Sequence, residues 1–136
     1  MVYIGVMGHG TVGSGVVELL QKIAKRAGKE IRIKKVLDLR DFPELSYHQL
    51  FTKDAEDILG DPEIKIVVEV MGGINPAYTF TKRSLESGKH VVTSNKELVA
   101  LHGAELQRIA RDNNAAYLFE ASVGGGIPII RPLKQC

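Results

Sequence analysis

Apolar positions along this chain fall into two alternating patterns, short continuous runs and longer stretches at helical spacing. Residues 2–7 are an unbroken apolar run that ends in glycines, the pattern of a strand buried on both faces. Val12, Val16, Leu19, Leu20, Ile23 and Ala27 then recur with helical period, and Gly28 supplies a C-terminal stop. A β-branched run over 31–37 follows, completing a βαβ unit whose crossover is expected to be right-handed.

Between residues 38 and 63 the pattern weakens. Asp41-Phe42-Pro43 reads as a turn, 50–52 as a vestigial strand and 54–59 as a short helix. Asp61-Pro62 feeds a strand over 64–70 that has almost no alternation and therefore belongs near the centre of a sheet; Gly72-Gly73 ends it. Asn75 is expected to cap the next helix, with Pro76 at its first position and Gly88 as its stop. A strand over 90–93 is followed by a helix capped by Ser94 or Asn95, which bends or restarts near Gly103 and runs to Asn113-Asn114. Residues 116–119 form the last strand; a glycine-rich stretch, 120–128, then leads into 129–135, which reads as the first turns of another helix. Strand and helix alternate throughout with no repeat or linker, which predicts an α/β fold, a doubly wound Rossmann-type parallel sheet in a single domain over 1–136.

Composition narrows the function. A chain of 136 residues with 18 Lys+Arg against 16 Asp+Glu carries a formal charge of +2 and no basic face, so no nucleic-acid partner is expected. The cluster of Lys22, Lys25, Arg26 and Lys29 reads as the solvated end of a helix, complementing its dipole. The opening apolar run is too short to span a membrane and lacks the features of a signal peptide, so a cytoplasmic protein without a membrane partner is expected. The single cysteine, Cys136, excludes an intrachain disulfide and a cysteine-based metal cluster, and the four histidines are scattered.

The chemistry starts at Gly8-His9-Gly10-Thr11-Val12-Gly13, a G-x-G-x-x-G sequence placed where the first strand gives way to the first helix. There Gly8 permits the tight turn, Gly10 admits a diphosphate close to the backbone, and Gly13 lets helix pack on strand, while the amides of Thr11 and Val12 point at the phosphates. His9 reads as an exposed loop residue without a role. Asp38 follows the second strand where a carboxylate for a ribose 2′-hydroxyl is expected and favours NAD, whereas Arg40 could pair with the 2′-phosphate of NADP. The residues leave the choice open. Gly72 and Gly73 end the central strand on the same sheet edge, where small residues would admit a nicotinamide. Ser94 and Lys96 follow the next strand there, and a lysine so placed can polarise a carbonyl oxygen as hydride arrives.

Together these blocks resemble the amino-terminal nucleotide-binding domain of homoserine dehydrogenases. The resemblance runs from Gly8 to Val17 through Glu69-Val70-Met71-Gly72-Gly73 and His90-Val91-Val92-Thr93-Ser94-Asn95-Lys96 to the stretch from Glu120 to Pro128. It implies interconversion of L-homoserine and L-aspartate 4-semialdehyde with NAD or NADP, a step toward threonine, methionine and isoleucine. It also implies Lys96 as the catalytic lysine, Thr11 and Val12 as phosphate contacts, and Arg40 at a position that meets the 2′-phosphate in some members. Glu120, Val123, Gly125 and Ile127 match a loop that holds a sodium ion mainly through backbone oxygens. Family members continue into a substrate and dimerisation domain that these residues do not contain, so the resemblance implies a homodimeric parent enzyme and an isolated piece that binds cofactor without turnover. A stand-alone NAD(P)-sensing module is the alternative reading of a single Rossmann domain. A sugar-type or amino-acid dehydrogenase of related architecture is disfavoured by the 120–128 segment.

Overall fold

Each apolar run becomes a strand. The computed structural model describes residues 1–27 and 31–119, and among these the strands are β1 (Val2–Met7), β2 (Ile31–Leu37), β3 (Phe51–Thr52), β4 (Ile64–Glu69), β5 (His90–Thr93) and β6 (Tyr117–Phe119). They form one sheet in the order β3-β2-β1-β4-β5-β6. Every neighbouring pair is parallel. Four helices intervene: α1 (Thr11–Ala27), α2 (Glu56–Leu59), α3 (Ala77–Glu86) and α4 (Lys96–Asp112). The expected α/β, doubly wound Rossmann-type sheet is therefore the observed one, and its strand order reverses between β1 and β4.

Residues of β1, β5 and the 66–68 stretch of β4 alternate between two apolar layers, which is why these runs carry no polar stripe. Ile4, Val6, Ile66, Val68 and Val92 pack with Val16, Val17 and Leu20 of α1. Met7, Val67 and Val91 point the other way, into the layer shared with Ile58 of α2, Leu85 of α3 and Leu98 and Leu106 of α4. Each such side chain stabilises the fold by about 1.5–3 kcal/mol relative to exposure. Val16, Val17 and Leu20 thus outweigh the roughly 2 kcal/mol that two interior glycines, Gly13 and Gly15, cost α1.

Several local expectations are corrected. Val12 is 44% exposed and lies off the buried stripe, which Val17 completes instead, because the first turn of α1 stands at the sheet edge. Asn75 does not cap α3 and Pro76 is not its first residue. The helix begins at Ala77 behind a cis Asn75–Pro76 peptide, and the carbonyls of Ile74 and Pro76 accept from Tyr78 and Phe80, so no side-chain cap is needed. Gly88 does end α3, where the Lys89 amide donates to Ser84 in a Schellman-type closure. Finally, α4 does not restart at Gly103 but runs unbroken from Lys96 to Asp112. One glycine costs a helix only about 1 kcal/mol, and Leu98, Leu106 and Ala110 are all buried along it. Short segments shift at their ends, as with α2 beginning at Glu56, and a 3-10 turn not expected from the sequence, His48–Leu50, precedes β3. The expected stop at Gly28 and the helix over 129–135 lie outside the described residues.

Candidate functional site

The carboxyl ends of β1, β2, β4 and β5 bring four turns to one edge of the sheet. The first follows β1. Gly8 adopts φ +105°, and a Cβ there would stand 3.1 Å from the backbone of Val70. At Gly13 a Cβ would meet the Gly8 carbonyl oxygen at 2.2 Å, so helix and strand approach as closely as glycine allows. A Cβ on Gly10, by contrast, meets no atom within 4 Å. The first helical hydrogen bond runs from the Ser14 amide to the Gly10 carbonyl, 2.9 Å, which leaves the amides of Thr11, Val12 and Gly13 without intrahelical acceptors at the positive end of the α1 dipole.

The second turn follows β2. The Asp38 carboxylate accepts the His9 amide at 2.9 Å, the Arg40 amide at 2.9 Å, and the Arg40 side chain through Nε and Nη2, both at 3.0 Å. Arg40 Nη2 also donates to the His9 carbonyl at 3.1 Å. The two residues that pointed to opposite cofactors are therefore partners in one ion pair. Hydrogen bonding from Arg40 is the main reason the Asp38 carboxyl is lowered to about 2.

His9 is not the exposed residue expected. It is 6% exposed, with Nε2 at 2.7 Å from the Tyr47 hydroxyl and its ring edge-on to Phe42 and Phe51 at centroid distances of 4.7 and 4.9 Å. Burial lowers its pKa from the ordinary 6.5. This aromatic box fastens the irregular segment after β2 to the glycine turn. Beside it opens a cavity of about 500 Å³, bordered by Arg40, Phe42, Phe51 and Lys53. A second, of about 280 Å³, lies between Gly8, Leu39, Met71, Pro76 and Phe80.

The third and fourth turns follow β4 and β5. Gly72 and Gly73 adopt φ +76° and +75°, and a Cβ on either would meet nothing within 4 Å. Ser94 is half-buried, and its amide donates to the Glu69 carbonyl at 3.3 Å. Asn95 caps α4 by accepting from the Leu98 amide at 3.1 Å, and exposed Lys96 is the first helical residue. The sequence reading overlooked Glu69, which is fully buried at the end of β4. Its signal was a carboxylate directly after the apolar run Ile66-Val67-Val68 of a central strand, a position that demands hydrogen-bond partners.

Of the predicted site residues, Gly8, Gly10, Thr11, Val12, Gly13, Asp38, Arg40, Gly72, Gly73, Ser94 and Lys96 all fall on this edge, following β1, β2, β4 and β5. Glu120, Val123, Gly125 and Ile127, the expected cation loop, lie outside the described residues. Among the described residues no group of three or more His, Cys, Asp or Glu could hold a metal ion, and no helix is long and apolar enough to cross a membrane.

Strand order, the reversal between β1 and β4 and the glycine turn beside it define a nucleotide-binding domain of the Rossmann class. Residues 8–120 match the family profile described as homoserine dehydrogenase, NAD binding domain, and the chain belongs to that family. It is 42% identical to homoserine dehydrogenase of Bacillus subtilis, over 97% of this chain and 32% of the relative. It is 45% identical to that of Synechocystis, over 98% of this chain and 32% of the relative. The chain thus spans about a third of the length of the curated relatives it matches. Among solved structures, a homoserine dehydrogenase from Thiobacillus denitrificans superposes with TM-score 0.78 at 38% identity, covering 89% of this chain and 30% of that one. A hyperthermophilic archaeal homoserine dehydrogenase mutant in complex with NADPH gives TM-score 0.73 at 25% identity, covering 89% of this chain and 44% of that one.

Proposed function

We propose that this chain binds a nicotinamide dinucleotide across the reversal point and serves as the cofactor domain of an oxidoreductase that interconverts L-homoserine and L-aspartate 4-semialdehyde. The observation that carries this reading is the contrast within one turn: backbone blocks a side chain at Gly8 and Gly13, whereas Gly10 is open beside the unbonded amides of α1. That is the cradle a diphosphate fills. The apolar cavity between Leu39, Met71 and Phe80 suits an adenine, and its neighbour beside Arg40 suits a 2′-phosphate. Because Arg40 neutralises Asp38, the carboxylate no longer repels that phosphate, and we assign NADP as the better ligand.

When bound, the nicotinamide supplies or accepts the hydride. The chain's own residues hold and orient it: Gly72 and Gly73 leave room at the turn after β4, and Lys96 opens α4 at the turn after β5. The Lys96 ammonium donates a hydrogen bond or a proton to the substrate carbonyl oxygen as negative charge builds there. Contacts that orient the substrate would come from a further domain of the homodimeric parent, as the length of the relatives suggests. The sodium loop at Glu120, Val123, Gly125 and Ile127 and a cytoplasmic location rest on the family resemblance and the composition.

Calorimetric titration of this chain with NADPH and NADH tests the binding claim: saturable heat with NADPH is expected, and no heat with either would overturn it. In the full-length enzyme, Lys96→Ala should lower kcat by about tenfold or more. An unchanged rate would remove Lys96 from the chemistry.

A further inference from the structure

Glu69 and Thr93 are register partners on β4 and β5, both fully buried. One oxygen of the Glu69 carboxylate accepts the Thr93 hydroxyl at 2.7 Å. The other accepts the Met71 amide at 2.9 Å and the Gly72 amide at 3.4 Å. The Thr93 hydroxyl in turn accepts the Asn95 amide at 2.9 Å. Asn95 completes the circuit, since its Oδ1 caps α4 and its Nδ2 donates to the Gly73 carbonyl at 2.6 Å. The turn after β4 and the first turn of α4 are thereby hydrogen-bonded through a single buried anion. A carboxylate in a sheet interior is costly unless paired, and this one is satisfied only while both turns keep this geometry.

We infer that Glu69 is a positioning residue for the nicotinamide end of the cofactor, acting with Thr93 and Asn95 to set the Gly72–Gly73 turn and the Lys96 end of α4 as one unit. The inference rests on the proposed cofactor reading and adds to it the groups that pre-organise one half of the site. The phosphate turn and the Asp38–Arg40 pair share no hydrogen bond with this circuit. Met71, whose amide Glu69 holds, also borders the cavity proposed for adenine, so disrupting the circuit should weaken the nicotinamide end most and the rest of the dinucleotide far less.

The test compares NADPH and NADH with 2′-phospho-ADP-ribose and ADP-ribose, which lack the nicotinamide, by calorimetry on this chain. Glu69→Gln cannot offer two carboxylate oxygens, and Thr93→Val removes the hydroxyl without changing side-chain shape. Both should weaken the intact dinucleotides about fivefold or more while leaving the fragments within about twofold, and Thr93→Ser should restore wild-type affinity. Equal losses for dinucleotide and fragment would mean general damage to the fold and overturn the inference. So would unchanged binding in both variants, or a wild type in which the nicotinamide adds no affinity. A wild type that binds fragments and dinucleotides alike still supports the diphosphate site, whereas one that binds none of the four ligands sinks the cofactor reading itself.

Discussion

Nε2 of His9 lies 2.7 Å from the hydroxyl of Tyr47, a contact that ties the glycine turn to a residue 38 positions further along the chain. Tyr47→Phe keeps the ring, and with it the packing on Phe51 at 5.9 Å, but removes the only partner of that nitrogen among the described residues. His9 Nδ1 is already buried and unpartnered. The substitution should cost about 1–3 kcal/mol of stability, the penalty for leaving a buried polar atom unpaired. Urea denaturation is the measurement, with a lower midpoint at unchanged slope expected.

The same histidine should make stability depend on pH. Burial holds the folded His9 below its ordinary 6.5, with Asp38 opposing the shift in part. The unfolded chain therefore takes up the proton first as pH falls. Stability contributed by neutral His9 is present above the unfolded value and drains away through the window beneath it, until the folded imidazole also protonates. Denaturation curves between about pH 7 and pH 5 should show wild type losing stability with acid and His9→Phe losing distinctly less. Parallel losses would assign the acid sensitivity to other groups.

Gly10 and Gly13 differ in what a methyl group meets, and this separates affinity from folding. Gly13→Ala puts a Cβ 2.2 Å from a backbone oxygen, so either α1 or the β1 turn must move. Overpacking of this kind costs about 1–3 kcal/mol or more, and a lowered melting temperature together with lost binding is expected. Gly10→Ala meets no protein atom within 4 Å, so its melting temperature should stay close to wild type. Its dinucleotide affinity should nonetheless fall about tenfold or more, because the methyl stands where the proposed diphosphate would approach. Calorimetry beside thermal denaturation on both variants checks the contrast.

How much of this could be read from the sequence depended on whether the determining contacts were local. Strand β1, the apolar stretch 66–68 of β4 and the glycine turn were legible because a doubly buried strand is a continuous apolar run and the turn's needs are met by three glycines within six residues. The doubly wound parallel arrangement and the shared sheet edge followed from the alternation of elements, whereas the order of the strands came from the structure. The burial of His9 was not legible, since Phe42, Tyr47 and Phe51 come from a segment with neither helical nor strand period. Gly103 misled in the other direction, because local propensity lost to the packing of Leu98 and Leu106. Glu69 was visible as a charge directly after an apolar run, but its partner Thr93 is 24 residues away and could be found only once β4 and β5 were paired.

Arg40 offers the sharpest test of cofactor choice. Its guanidinium is held against Asp38 by hydrogen bonds at 3.0 Å, yet its side chain is 63% exposed while that of Asp38 is 10% exposed. Arg40 can therefore turn toward a 2′-phosphate without leaving the mouth of the site, whereas Asp38 cannot follow. Arg40→Ala removes the charge-assisted partner proposed for the phosphate and also exposes the carboxylate to it. Both changes act against NADPH. NADH loses no phosphate contact and gains a free acceptor for its ribose hydroxyls. The ratio of NADPH to NADH affinity should thus fall by about tenfold or more, equivalent to about 1.4 kcal/mol. With Arg40 gone, the Asp38 carboxyl should rise from about 2 toward its ordinary 3.8, readable by NMR titration. An affinity ratio that stays put while the Asp38 titration moves would separate the ion pair from cofactor selection and transfer the 2′-phosphate to another cation, with Lys53 beside the same cavity the first to substitute.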